Sequence, residues 1–262
     1  MAKTSEISFN ITSDNLLKII SVLKDLSTID EKALIKFDKK NILIYSLIGE
    51  GKSINVFKSF SFKTDEILEI DDFSDTIDFI SKDIKSMYRN LQIMNDLNKD
   101  ISGKIYYDQL GDKFYSDRLF FKLDSKLKLN FYGGDPLSFN SNISSVQIKK
   151  LTNIDDSEFN FRLKSDDFNN IKKLSNTSKD SDVFYMNTFE KDDKYYISIG
   201  ESSWDLVLDE IDKQIIKTLS FPKKYLKSIT MSDDLLNVYV FDRFLMIRDE
   251  QSNLLISTEI SI

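Results

Sequence analysis

Of the side chains that ordinarily carry catalysis, the chain has 43 Asp and Glu, 36 Lys and Arg and 11 Tyr, but no His and no Cys. That absence removes the Ser-His-Asp triad, the Cys-His nucleophile and the ordinary zinc site, each of which needs an imidazole or a thiolate. An enzyme made from this chain would work through carboxylates, lysines or tyrosines. With so many carboxylates a pair can be drawn almost anywhere, and a solvated acidic surface accounts for them. There is no Walker loop, no GxGxxG and no EF-hand spacing, and only 7 glycines exist to build such loops. The one acidic glycine segment, GGDPLS from Gly133 to Ser138, lacks calcium-loop spacing and reads as a turn. The expectation is a protein without catalytic residues, metal or cofactor.

The lysines are distributed less evenly. Asp78, Lys82, Lys85 and Arg89 recur at helical spacing, opposite the stripe Ile77, Ile80, Ile84, Met87 and Leu91. Lys223, Lys224 and Lys227 stand opposite Leu226 and Ile229 in FPKKYLKSI. Lys172 and Lys173 lie off a Phe168-Ile171-Leu174 face, and Lys18 lies on the first predicted helix. A chain of net charge -7 thus makes the exposed sides of its predicted helices mostly basic. If those helices lined one surface, it would attract a polyanion while the rest of the molecule repelled it.

The elements that would position these residues come in two similar sets. EISFNI alternates with period two, and Ser13 then caps a helix running to about Leu26. ALIKF, NILIYSL and SINVFKSFSF read as strands, Asp71 to about Leu91 as a second helix, and IYYDQ, KFYSDRLFFKL and KLKLNFY as strands. After a polar stretch, Leu137 to Ser157, that reads as an extended connector, the pattern restarts. Strand EFNFRL and a Ser165-capped helix lead into DVFYMNTFE, KYYISIG, SWDLVLDE and QIIKTLSF; a helix then begins at Pro222, and LNVYVF, FLMIRD and NLLISTEI close the chain. With Ser13 laid on Ser165, Phe9 falls on Phe161, Ile11 on Leu163, Leu16 on Phe168 and Ile19 on Ile171. An α+β unit, an antiparallel sheet with two helices on one face, is duplicated.

The 262 residues suit two domains of about 130 each. The expected division is 1–134, a connector 135–156, and 157–262. No apolar run reaches the length of a membrane span, and MAKTSEISF has no signal-peptide pattern. The absence of Cys fits a reducing interior, so the cytoplasm is the expected location.

FNITSDNLLKIISVLKDLS and FNFRLKSDDFNNIKKLSN resemble the domain openings of PCNA-type DNA sliding clamps, and FPKKYLKSI resembles the last helix of that family. LNFYGGDPLS, before the connector, is similar to the corresponding point in clamps of large tailed phages. Two departures are plain: the Asp71 to Ile101 region is long, and the end, EISI, carries no acidic tail. The resemblance implies a homotrimeric ring, helices inside and sheet outside, that encircles duplex DNA without reading its sequence. It implies a polymerase processivity factor opened by a clamp-loader ATPase. Lys18, Lys82, Lys85, Arg89, Lys172, Lys173, Lys223, Lys224 and Lys227 would face DNA. Edge strands Lys126 to Tyr132 and Ser203 to Asp209 would join subunits, with Leu127, Leu129 and Phe131 against Trp204, Leu206 and Leu208. A partner peptide would dock against Leu47, Ile48, Ile148, Leu151, Ile260 and Ile262. The alternatives are a carboxylate-dependent hydrolase, which needs a pocket of clustered acids, and a β-rich structural or adaptor protein without a DNA role.

Overall fold

The computed structural model describes residues 5–50, 53–97, 101–124, 127–136, 145–177, 181–212, 214, 218–229 and 234–261. The chain forms two compact units, the first of Met1–Leu47 with Ser59–Asn142 and the second of Ile48–Lys58 with Ile143–Ile262.

In the first unit β1 (Ser5–Ile11) alternates as its sequence demands, sending Ile7, Phe9 and Ile11 inward. α1 (Ser13–Leu26) follows directly. Its cap is Thr12, not Ser13: Asn15 N–H donates to Thr12 Oγ1 at 3.3 Å, while Ser13 Oγ donates to Asn95 Oδ1 at 3.0 Å. Next come β2 (Ala33–Phe37), β3 (Asn41–Glu50), β4 (Ser53–Lys63), the single turn α2 (Thr64–Ile67) and β5 (Glu69–Ile70), with the stretch Ile48–Lys58 of β3 and β4 counted to the second unit. β6 (Ile77–Ser81), α3 (Ile84–Asn95), β7 (Ile101–Leu110), β8 (Lys113–Leu123) and β9 (Leu127–Tyr132) complete it.

The helix expected from Asp71 to Leu91 is therefore β6 followed by α3. Every residue of β6 is buried, and a strand buried on both faces shows no alternation to tell it from a helix. α3 starts where Asp83 Oδ1 accepts the Ser86 N–H at 2.8 Å. The sheet order is β3-β2-β6-β8-β7-β1-β5, with β9 paired to β8. It is not wholly antiparallel, because β6 and β8 run parallel over Ile77–Phe79 and Phe114–Ser116. On one face Ile7, Phe9, Leu119 and Phe121 pack with Leu16, Ile20 and Leu23 of α1 and Met87 and Leu91 of α3. The Phe9 and Phe121 rings meet edge-on at 5.4 Å. Gly103 faces Phe9 across the ladder, and a Cβ there would stand 2.2 Å from the ring, so only glycine fits.

The second unit holds α4 (Ser145–Leu151), β10 (Phe159–Lys164), α5 (Ser165–Thr177), β11 (Val183–Lys191), β12 (Lys194–Glu201), β13 (Trp204–Ile211) and β14 (Thr218–Pro222). A 3-10 helix, Lys223–Ser228, leads to β15 (Leu235–Val240), β16 (Phe244–Arg248), β17 (Ser252–Ser257) and β18 (Glu259–Ser261). The connector thus contains a helix, α4, that its polar sequence hid. Pro222 ends a strand, and the helix after it is a six-residue 3-10 turn. One sheet runs β13-β12-β11-β14-β18 and the other β10-β15-β16-β17-β4. Phe161, Leu163, Phe168, Ile171, Met186 and Leu245 are buried around one small internal void.

The duplication extends to topology. β1 pairs β7, β7 pairs β8, and β8 pairs β9; likewise β10 pairs β15, β15 pairs β16, and β16 pairs β17. β2, β3 and β4 correspond in order to β11, β12 and β13. β17, the counterpart of β9, is the neighbour of β4, the counterpart of β13. β9 itself pairs only with β8, and β13 only with β12, among the described residues.

Candidate nucleic-acid interface and assembly edges

α1 and α3 lie side by side, and the Ser13–Asn95 hydrogen bond sets the start of one beside the end of the other. Their shared inner surface buries Leu16, Ile20, Leu23, Met87, Leu91 and Met94. Amphipathic periodicity then leaves Lys18, Lys24, Lys85 and Arg89 exposed on the far side. Lys18 Nζ donates to Asn15 Oδ1 at 3.0 Å, which steadies it one turn from the helix start. Lys82 is exposed but stands in the turn before α3, not on a helix. Asp78 does not belong to the face at all: it is buried in β6, 2.8 Å from Lys36 Nζ on the paired strand β2.

In the second unit Lys172 and Lys173 are exposed on α5, and Lys172 Nζ sits 4.1 Å over the Phe168 ring. Lys224 is exposed on the 3-10 helix, 5.1 Å above Tyr225. Lys223 is not free on that surface. Its Nζ is 2.5 Å from Oε2 of Glu201, whose side chain is wholly buried. Neither carboxylate oxygen receives an aligned hydrogen bond, so charge alone compensates the burial. The Lys227 side chain lies outside the described residues.

The helices are also less uniformly basic than their lysines suggest. Asp14 opens α1, and Asp166 and Asp167 open α5, where carboxylates favour the positive end of the helix dipole. α3 contains Lys85 and Arg89 and no acid, and α4 and the 3-10 helix Lys223–Ser228 likewise carry lysines without an acid.

The two expected assembly strands are both sheet edges. The apolar side chains named on them do not point along the edge, however. Leu127, Leu129 and Phe131 pack against the first unit's own core, leaving Lys128, Asn130 and Tyr132 exposed. Trp204 and Leu206 are half-buried and Leu208 is buried, whereas Asp205 and Val207 face out. Period-two alternation explains this: apolar residues at every second position serve the core beneath, and an edge offers backbone N–H and C=O groups. The far end of β13 is occupied, since Arg162 N–H donates to Asp209 Oδ2 at 3.0 Å.

Of the residues expected around a partner peptide, Leu47, Ile48 and Leu151 are half-buried and Ile148 is buried in α4. The side chains of Ile260 and Ile262 lie outside the described residues. Among the described residues no group of three Asp or Glu could hold a metal, and no helix is long and apolar enough to cross a membrane.

No protein-family model and no curated protein matches the chain. Solved structures do. The β subunit of DNA polymerase III from Borrelia burgdorferi superposes with a TM-score of 0.65 at 13% identity, over 96% of this chain and 64% of that one. The Helicobacter pylori β clamp bound to a DNA ligase peptide gives 0.61 at 12% identity, over 97% and 65%. Proliferating cellular nuclear antigen from Entamoeba histolytica gives 0.60 at 14%, over 97% and 98%. The chain therefore spans just under two thirds of the bacterial subunits' length and nearly all of the nuclear antigen's. At such identities the likeness is one of fold: two α+β units of the clamp type.

Proposed function

We propose that the chain is a DNA sliding clamp, a non-enzymatic ring that encircles duplex DNA and tethers a polymerase and other replication proteins. The observation that carries this reading is the clamp fold itself, shared over 96–98% of the chain with bacterial β subunits and with PCNA. Domain count then argues for three copies. With two units per chain, three chains supply six, and the nuclear antigen matches this chain over nearly the whole of both.

The duplicated topology supports one particular closing contact. β17 already pairs with β4 within the chain. β9 and β13 are the corresponding strands left with open edges, so β9 of one copy would repeat with β13 of the next the pairing that β17 makes with β4. Such a head-to-tail contact closes into a ring when its rotation fits. Exposed Lys128 on β9 and Asp205 on β13 favour that direction of approach.

The basic residues of α1, α3 and α5 would then meet phosphates loosely. Weak, sequence-independent contact suits sliding, because firm contacts would pin the ring. Lys18, Lys24, Lys85, Arg89, Lys172, Lys173 and Lys224 are the side chains available for it, with Lys82 beside α3. Lys223 is withdrawn from the set by Glu201. Partners would be a polymerase and a loader ATPase, and a peptide seat near Ile148 and Leu151 fits the clamp reading, as a DNA ligase peptide binds the Helicobacter pylori clamp. The tailed-phage affinity of LNFYGGDPLS makes a viral clamp acting in the host cytoplasm the finer form of the proposal.

The absence of native cysteine gives a direct test. Lys128→Cys with Asp205→Cys, bridged by a bismaleimide on nicked circular plasmid, should yield covalent rings that stay with the plasmid in high salt and detergent. They should leave when the circle is cut. Rings that stay on linear DNA, or none formed at all, would refute encirclement through these edges.

A further inference from the structure

The sheet face turned away from α1 and α3 carries a regular array that the clamp reading does not use. Three ladder rows cross β1, β7, β8 and β9 on that face. The first is Glu6, Tyr106, Arg118 and Tyr132; the second is Ser8, Lys104, Phe120 and Asn130; the third is Asn10, Ser102, Lys122 and Lys128. Aromatic rings thus occur in two adjacent rows, interleaved with four cations, in a protein whose net charge is -7. Tyr132 is 69% exposed, and Tyr106 and Phe120 are half-buried. The Arg118 guanidinium lies 3.9 Å over the Tyr106 ring, which holds the cation flat against the sheet.

Of the carboxylates near this face, two are engaged. Glu6 holds Lys104 at 2.6 Å, and Asp71 accepts the Ser8 N–H at 3.1 Å, while Glu69 and, one row beyond Tyr106 on β7, Asp108 are exposed. Arg118, Lys122 and Lys128 have no carboxylate within ion-pair distance among the described residues. A cleft of about 420 Å³ runs over Ser8, Asn10, Ser102, Lys104, Phe120 and Lys122, with Glu69 and Asp71 along its margin.

We propose that this face binds single-stranded nucleic acid: the rings of Phe120 and Tyr132 stack on bases, and Arg118, Lys122 and Lys128 hold the backbone. One exposed and two half-buried rings among cations on a sheet face match what single strands offer, a π-face on every residue and one negative charge per nucleotide. Ser8, Asn10, Ser102 and Asn130 add uncharged donors and acceptors for base edges and sugars. A duplex hides its base faces and could use only the charges. An acidic peptide could likewise use only the charges, so the rings decide between them. The proposal does not depend on ring closure, since the array lies within one unit of one chain.

The test is a titration of fluorescein-labelled oligo-dT with the full chain at low salt, read by anisotropy. Saturable binding is expected, tighter than to duplex of the same length and weakened by added salt. Phe120→Leu keeps an apolar side chain but removes the ring, and it should weaken binding roughly 5- to 100-fold, as should Tyr132→Ala. Lys122→Glu should weaken it too, whereas Lys164→Glu, at a site exposed on β10 of the second unit, should leave it unchanged. Unaltered circular dichroism and assembly mass would separate these losses from misfolding. Three results would each overturn the proposal: no binding to oligo-dT at low salt, binding indifferent to both ring variants, or polyglutamate binding as tightly with the same variant profile.

Discussion

At the scale of single residues, the pair Lys36–Asp78 is the sharpest case of a charge whose value depends on its partner. Lys36 Nζ stands 2.9 and 2.8 Å from the two carboxylate oxygens of Asp78, and both side chains are at most 10% exposed. Removing Lys36 takes the ion-pair partner from the buried Asp78 carboxylate. Lys36→Met should therefore cost about 3–5 kcal/mol in urea unfolding, while the double change Lys36→Met with Asp78→Leu should recover most of it. An equal loss in both variants would mean that packing, not charge, is the cause. The surface pairs behave differently. Hydrogen bonding and charge from Glu66, Glu6 and Glu210 hold Lys63, Lys104 and Lys194 above 10.5, and Lys39 holds Asp72 below 3.8. The lysine contributions are present below 10.5 and fade as pH rises through the folded value; that of Asp72 is present above 3.8 and fades as pH falls. Both windows lie far from neutrality, and there is no histidine. The melting temperature should therefore stay flat between about pH 6 and 9. A step inside that range would reveal a titrating group with a strongly displaced pKa.

Among the elements, the strand-helix openings were legible because both signals in them are local. Period two in EISFNI and EFNFRL and the 3.6 period that follows put Phe9, Ile11, Leu16, Phe161, Leu163, Phe168 and Ile171 in the cores. What could not be read depended on tertiary surroundings. Both faces of β6 are covered, so its sequence reads as helix and sets Asp78 on a basic face that it does not share. α4 hid in a polar connector, and its one deeply buried residue among those described is Ile148. The sequence of β9 shows its alternation but not which side faces the core, and Leu127, Leu129 and Phe131 belong to the unit's own core rather than to a neighbour. α3 carries the charge that was sought, and there the prediction is direct. Lys85→Glu with Arg89→Glu should change thermal stability little, since exposed charges contribute about 0–1 kcal/mol. It should at the same time markedly shorten retention on circular DNA. Unchanged retention would remove α3 from the DNA-facing wall.

For the whole molecule, the account rests on one structural relation. The chain pairs β17 with β4 and leaves β9 and β13, their counterparts in the duplicated topology, without a strand paired on their outer edge among the described residues, although β10 reaches the Asp209 end of β13. An open edge is a standing invitation to another chain, and closure into a ring is the ordered way to satisfy it. Sedimentation equilibrium over a wide concentration range tests this most directly, on the native chain and on Asn130→Pro, which removes a backbone donor from β9. The native chain is predicted to reach the mass of three copies and no more, with Asn130→Pro shifted toward monomer at the same concentration. A native chain that stays monomeric at every concentration, or one that grows past three copies into open filaments, would contradict the account.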